Sequence, residues 1–342
     1  MRLFGRFSAF ALTAATMFAG TQAMAAEAMA PKVMVITMFA GEAKPWLAER
    51  KLDTKIAVPG LSKEFPEVAC EQSGDLCMMT TAMGFANAAS SVSALIYSGK
   101  FDLKNSYIII AGIAGIDPSD GTLGSAHWAR YAIDGGLRHE IDPRQISSDW
   151  SNGVLALGAK KPGDKATWGS TTEVYQLNEE LLQKAFALTK DVELADADDA
   201  KAYRATYPAA PGNAAPQVSI CDTLSSDTYW HGSMIAEGMG EWVSLMTEGK
   251  GDYCTTQMED NATLTALQRG DDAGLLDFDR IALLRTASNF DREAPGTSPA
   301  ESLSAKSGGF GPSTTNAYRV AGKLADTMIA DWSEWEKGVP AR

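Results

Sequence analysis

Positive charge is scarce in this chain. Its 342 residues include 30 Lys and Arg against 43 Asp and Glu, a net charge of −13. So acidic a surface repels a phosphate backbone, which excludes nucleic acid as a partner. Histidine is scarcer still: His127, His139 and His231 are the three in the sequence, which gives a Ser-His-Asp triad little support and leaves few ligands for a metal centre. Cysteine is limited to Cys70, Cys77, Cys221 and Cys254, whose spacings match no zinc pattern, so no metal site is expected. The G-x-S-x-G elbow of serine hydrolases is absent. Gly112-Ile113-Ala114-Gly115 lacks the third glycine of a dinucleotide fingerprint and runs into Asp117-Pro118, which disfavours a Rossmann cofactor. Beyond residue 25 no run approaches the ~20 apolar residues of a spanning helix, so the protein is not expected to span a membrane or to act alone as a carrier.

What is present suits a globular protein: 45% of residues are apolar, 21% charged and 8% aromatic. Residues 1–25 read as a secretory signal peptide. Arg2 and Arg6 form a basic head, Phe7 to Gly20 is a short apolar run, and Ala23-Met24-Ala25 supplies a small-x-small cleavage site. The protein is therefore expected to be secreted or periplasmic. An even number of cysteines in an exported chain predicts two disulfides. Three pairings are open; Cys70 with Cys77, across a tight turn, and Cys221 with Cys254 are favoured.

Apolar runs rich in Val and Ile and bounded by Gly or Pro mark strands at Lys32 to Phe39, Leu76 to Ala82, Tyr107 to Ala111, Gln217 to Asp222, Gly251 to Gln257 and Arg280 to Ala287. Helical patterns lie at Asn87 to Ser98, Val174 to Thr189, His231 to Thr247, Asn261 to Arg269 and Thr314 to Trp335, the last with Trp332 and Trp335 as packing residues. Continuous apolar strands separated by helices indicate an α/β fold whose mostly parallel mixed sheet is covered by helices on both faces. The segment at about 135–216 differs in texture. It holds the acidic run Asp191 to Asp199 and a Pro-rich loop at Tyr207 to Gly212, and is read as an insertion in a single domain spanning 26–342. The acidic run lacks the ligand spacing of a calcium loop and reads as a solvated face.

Ligand sites of such folds gather at the carboxyl ends of strands, here near Gly84, Gly112, Gly115 and Asn289. Three strand ends present a consistent set. Tyr229, Trp230 and His231 follow one, Met258 and Glu259 the next, and Asn289 the last. A ring to stack on a base, a carboxylate to accept two ribose hydroxyl hydrogens and a polar tip to meet the base edge equip a site for a nucleoside. His231 is a further candidate for contact with the base.

The run from Met83-Gly84 through Asn87-Ala88-Ala89, Tyr107 to Gly115, Gly124-Ser125 and Ala129-Arg130-Tyr131 resembles the centre of the nucleoside phosphorylase and nucleosidase superfamily, and Gln257-Met258-Glu259 resembles its ribose-binding Met-Glu pair. Over nearly the whole chain after the leader, including Phe39 to Trp46, the sequence is similar to the purine nucleoside permease family. The resemblance implies a nucleoside phosphorylase-like fold and a purine nucleoside as ligand. It implies that Met258 and Glu259 hold the ribose and that Tyr229 faces the purine. It also implies that Asn289 lies near the purine N7 and that Glu42 orients the attacking water, making Glu42 and Asn289 the candidate catalytic residues. Two positions depart from the pattern. Ile110 replaces the arginine that grips phosphate in phosphorolytic members, so phosphate as co-substrate would need Arg130, Arg285 or Lys44 to reach the site. Ile113 replaces the serine that assists water in nucleosidases.

The expected function is a purine-nucleoside-binding protein associated with nucleoside uptake that cleaves the N-glycosidic bond by hydrolysis or phosphorolysis. A non-catalytic receptor that hands nucleosides to a separate membrane transporter is the alternative from another class. An unrelated exported α/β hydrolase with a reactive serine is a third. The sequence is compatible with an oligomer.

Overall fold

The computed structural model describes residues 28–341, and the leader read at residues 1–25 lies outside them. In chain order the elements are β1 (Val33–Thr37), α1 (Ala40–Glu49), β2 (Thr54–Ala57), β3 (Glu67–Cys70), β4 (Leu76–Thr80), α2 (Phe85–Tyr97) and β5 (Tyr107–Ile116). Short strands follow as β6 (Ala126–Trp128), β7 (Tyr131–Asp134), β8 (His139–Glu140), β9 (Val154–Leu155) and β10 (Val174–Gln176), then α3 (Glu179–Thr189) and α4 (Asp198–Arg204). The remainder comprises β11 (Val218–Ile220), β12 (Asp222–Ser225), α5 (Ser233–Met246), β13 (Tyr253–Gln257), α6 (Asp260–Asp272), β14 (Ile281–Phe290), α7 (Pro299–Ser304), α8 (Phe310–Ala330) and α9 (Trp332–Trp335).

Twelve strands form one mixed sheet in the order β10-β7-β12-β13-β5-β1-β4-β3-β2, with β14 pairing to both β5 and β6, and β6 to β11. Strands β4, β1, β5 and β14 run parallel to one another. Strand β13 pairs with β12 in parallel and with the end of β5 antiparallel. Side chains of β1 and β5 alternate between two cores. Val33, Val35, Tyr107, Ile109 and Ala111 face a core completed by Val320, Leu324 and Met328 of α8. Met34, Ile36, Ile108 and Ile110 face a core completed by Val92 and Leu95 of α2 and Leu264 and Leu267 of α6. Both faces are covered, which is why the strands read as unbroken apolar runs. Each fully buried Val or Ile contributes about 1.5–3 kcal/mol. Trp335 is buried with its ring edge-on to Tyr107, at 5.2 Å.

Both favoured disulfides are formed, Cys70 with Cys77 and Cys221 with Cys254. The first links paired residues of β3 and β4. The second joins the β11–β12 junction to β13, and His127 packs beside it with Nδ1 2.8 Å from Ser219 Oγ.

Several boundaries differ from the sequence expectation. The helix predicted from Val174 begins as strand β10, paired antiparallel to β7, and the helix proper starts at Glu179 because the Asn178 side chain accepts hydrogen bonds from the amides of Glu180 and Leu181. The segment at 135–216 thus supplies both an edge strand and α3, whose Leu181 and Ala185 are core residues. The strand predicted over Gln217 to Asp222 is two strands, divided at Cys221. Asp222 there accepts hydrogen bonds from the amides of Arg130, Tyr131 and Asp252 and locks three segments together. Strand β5 continues past Ala111 to Ile116, and the predicted Thr314 to Trp335 helix starts at Phe310 and breaks at Asp331. Among the described residues no helix is long and apolar enough to cross a membrane.

Candidate functional site

A cavity of about 190 Å³ opens where β5 passes from its pairing with β1 to its pairing with β13. Glu42, Tyr229, Met258, Glu259 and Asn289 all line it, as do Met38, Trp230, Ile113 and Arg285. His231 is not among the lining residues. It lies one residue further along, with Glu293 and the backbone of Phe290 as neighbours and its imidazole pKa lowered by burial.

Glu42 sits in the first turn of α1 and is 2% exposed. Its Oε2 accepts the Met38 amide at 2.7 Å and its Oε1 the Ile113 amide at 2.7 Å, so the carboxylate is pinned between the end of β1 and the middle of β5. Burial pushes its pKa up to about 7, against the opposing pull of the Arg285 guanidinium. The group is therefore poised to exchange a proton near neutrality. Gly112 makes this placement possible: a Cβ there would fall 2.7 Å from Glu42 Oε1, 2.7 Å from Arg285 Nη1 and 2.1 Å from Met38 Cε.

Glu259 closes the opposite wall. Gln257, the last residue of β13, turns its Oε1 back to accept the amides of Glu259 and Asp260 at 2.8 and 3.0 Å, which satisfies the first free donors of α6. This cap fixes the direction in which Glu259 leaves the strand. Glu259 Oε1 accepts the Gly84 amide at 3.2 Å, and Oε2 lies 3.4 Å from Arg285 Nη2. Burial raises its pKa and Arg285 lowers it, burial being the larger effect.

Arg285 is 1% exposed and its fork is almost fully used. Its Nε reaches both oxygens of Asp260 at 3.2 and 3.1 Å, Nη2 reaches Asp260 Oδ1 at 2.5 Å, and Nη1 donates to the Ile113 carbonyl at 2.9 Å. Of the five guanidinium hydrogens, one on Nη1 is left without a protein acceptor. The other cations considered for phosphate are elsewhere. Arg130 forms a two-point pair with Glu179 at 2.6 and 3.0 Å, and Lys44 lines a separate groove on the outer side of α1. Ile110 points into the α2–α6 core. Ile113 lines the cavity and contributes its amide to Glu42.

Tyr229, Trp230 and Asn289 form a further part of the cavity wall. Tyr229 is 57% exposed, whereas Trp230 is buried against Tyr253 and the α5 core. The pairing of β14 with β5 shifts register between Ala287 and Asn289, a bulge at Ser288 that re-aims the following side chain. Ser288 Oγ lies 2.8 Å from Asn289 Oδ1, and Asn289 Nδ2 donates one hydrogen to the Phe290 carbonyl at 3.1 Å. The second Nδ2 hydrogen has no protein acceptor in that network, and an amide cannot supply a proton.

Sequence reasoning brought five of the six candidate side chains to one cavity. It missed Asp260 and the capping role of Gln257, and it treated Arg285 only as a reserve cation. A carboxylate doublet directly after an apolar strand, followed by an arginine inside the next apolar strand, was the available signal, because a charge inside a buried strand must be paired.

The sequence profile of the family described as purine nucleoside permease (NUP) matches residues 30–340. A Schizosaccharomyces pombe protein named as a probable purine nucleoside permease is 36% identical over 320 residues, 89% of this chain and 91% of that protein. A Candida albicans purine nucleoside permease is 34% identical over 317 residues, 90% of this chain and 77% of that one. Among solved structures, Helicobacter pylori futalosine hydrolase superposes with a TM-score of 0.54 at 13% identity, covering 87% of this chain and 98% of that chain. The Neisseria meningitidis 5′-methylthioadenosine/S-adenosylhomocysteine nucleosidase, in complex with methylthio-immucillin-A, superposes at 0.53 and 14% identity over 87% of this chain and 99% of that chain. These similarities in structure establish a shared fold, that of the nucleoside phosphorylases and nucleosidases.

Proposed function

Because this chain belongs to the purine nucleoside permease family, we propose that it binds purine nucleosides in the β5–β13–β14 cavity and hydrolyses their N-glycosidic bond. The observation that carries this reading is the convergence of Glu42, Glu259 and Asn289 on one cavity, from three strand ends far apart in sequence. Glu259 accepts hydrogens from the ribose 2′ and 3′ hydroxyls with Met258 against the sugar, and Tyr229 covers the purine.

In the reaction, Glu42 as carboxylate takes a proton from a water whose oxygen bonds to C1′. The C1′–N9 bond breaks with its electron pair passing to the base, and Asn289 Nδ2 donates a hydrogen bond to the departing purine. The purine takes up a proton from solvent, Glu42 returns its own, and the products are ribose and free base. Water is preferred to phosphate as nucleophile because Arg285 is committed to Asp260, Glu259 and the Ile113 carbonyl. A dianion needs at least a two-point fork, and beside Glu42 and Glu259 it would meet net negative charge.

Incubation with inosine or adenosine, with and without phosphate, tests the proposal by chromatography of the products. Free base without phosphate is expected. Base released only with phosphate overturns water as the nucleophile, and none under either condition overturns cleavage. One observation favours the second reading, a nucleoside receptor without turnover: Asn289, which this proposal sets against the leaving base, is an amide with no proton to give. Calorimetric binding with intact nucleoside recovered afterwards would establish it.

We also propose that the protein is exported. The two disulfides suit an oxidising compartment, and the leader pattern at residues 1–25 supplies the route. Amino-terminal sequencing of the protein recovered outside the cytoplasm should begin at residue 26; an uncut amino terminus would overturn this.

A further inference from the structure

The segment Ser226 to Gly232, which joins β12 to α5, bears the aromatic wall of the cavity; Trp230 packs into the α5 core, and the hydrogen bonds that tie the segment to the rest of the protein gather toward its two ends. At one end Ser226 donates its amide to the Gln257 carbonyl at 2.9 Å, and Asp227 Oδ1 accepts the Phe85 amide at 2.7 Å. At the other, Gly232 donates to the Asp291 carbonyl at 2.9 Å and Ser233 to Glu293 through both its amide and its hydroxyl, at 3.0 and 2.7 Å. Between these anchors Tyr229 makes no side-chain hydrogen bond, and the buried Trp230 Nε1 has no partner.

The amide that Asp227 takes is the first of α2, next to the Gly84 amide taken by Glu259. One helix start therefore holds two carboxylates, one from the sugar side of the cavity and one from the base side. The backbone there is shaped for it: Gly84 has φ +89°, and a Cβ on it would come within 3.1 Å of Asp227 Oδ1. A carboxylate on helix amides makes a charge-assisted bond, favoured by the helix dipole.

We propose that Asp227 is a positioning residue for base recognition, latching the Tyr229–Trp230 segment to the start of α2 so that the aromatic wall stands at a set distance from Glu259. The inference rests on the cavity being the nucleoside site. Asp227 is exposed and does not line the cavity, so its effect passes through the segment it holds and not through contact with a ligand.

The test compares calorimetric affinity for a free purine base and for its nucleoside in the wild type, Asp227→Ala, Asp227→Asn and Phe85→Pro. Proline at the first helical position keeps the helix but removes the amide that Asp227 accepts. Loss of a helix-terminal bond of this kind should weaken both ligands about five- to tenfold in Asp227→Ala and in Phe85→Pro. Asn keeps an acceptor oxygen and should stay within about twofold of wild type. The double variant Asp227→Ala with Phe85→Pro should be no weaker than either single change, because one bond is removed in all three. Unchanged base affinity in folded Asp227→Ala or Phe85→Pro, or full additivity in the double variant, overturns the latch while leaving the site reading intact. A wild type that binds neither base nor nucleoside overturns the site reading and this inference together. If Asp227→Ala does not fold, the Phe85→Pro comparison decides alone.

Discussion

Two arginines held by carboxylates end up in opposite situations. Arg285, within β14, lies among Glu42, Glu259 and Asp260, and two of those carboxylates face open space. Arg292, seven residues later, is bound to Asp117 and to Asp291, the latter at 2.8 Å, while Asp291 also accepts the Tyr253 hydroxyl at 2.7 Å. Tyr207 seals that second cluster, with its ring 3.9 Å from Phe290 and its hydroxyl donating to the Arg292 carbonyl. Carboxylates in both clusters are pushed upward by burial, Glu42 to about 7 and Asp291 to about 6. Raised pKa values and buried ion pairs thus do not tell a site from a staple. The distinction is the cavity, which Glu42 and Glu259 of the first cluster line and the carboxylates of the second do not.

The largest effect should come from Glu42→Gln, which keeps the shape but cannot take a proton. Turnover should fall by about 10²–10⁴-fold with base affinity unchanged, measured by steady-state kinetics and calorimetry. In the wild type, activity should rise as pH passes upward through about 7, because Glu42 works as the carboxylate, and this limb should vanish in the variant. Asp291→Ala sharpens the contrast from the other cluster. It leaves Arg292 and the Tyr253 hydroxyl short of a partner and should cost about 3 kcal/mol in denaturant unfolding, with nucleoside KM little changed. Glu259→Ala should weaken nucleoside binding about 10–100-fold while free base binds as before, since the lost bonds are to ribose hydroxyls.

The smallest effect is on stability against pH. Glu42 and Asp291 both bind a proton more tightly folded than unfolded, so their stabilising contribution is complete below the ordinary carboxylate range and is lost as pH rises through about 6 to 7. Unfolding free energy should therefore decline between pH 5 and pH 8, less steeply in Glu42→Gln; an unchanged slope in that variant would show that Glu42 is not the buried acid described.

The main strands and the covering helices could be read from composition and period, because β1 and β5 are apolar on both faces. Strands of three or four residues, such as β6 and β7, could not: so short a segment has no period, and its pairing partners supply the reason for its existence. Glu259 was legible as an acid placed straight after an apolar strand. Asn289 was legible as a candidate, but not the bulge at Ser288 that aims it, since a bulge arises from register against β5. Tyr229 and His231, two residues apart, were both candidates for base contact, His231 the lesser one, and of the two Tyr229 lines the cavity.

By itself the sequence settled what short-range pattern can settle: alternating layers of strand and helix, and the strand ends that bear acids, amides and rings; among the three cysteine pairings it only favoured the one the structure forms. Tertiary structure alone decided that Arg285 is consumed by Asp260, that Ile110 faces a core, and that Glu42 holds its proton near neutrality. The physical reason is range. Secondary structure follows from neighbours within a few residues, whereas desolvation and charge pairing at Glu42 depend on Ile113, 71 residues away, and on Arg285 from the last strand of the sheet.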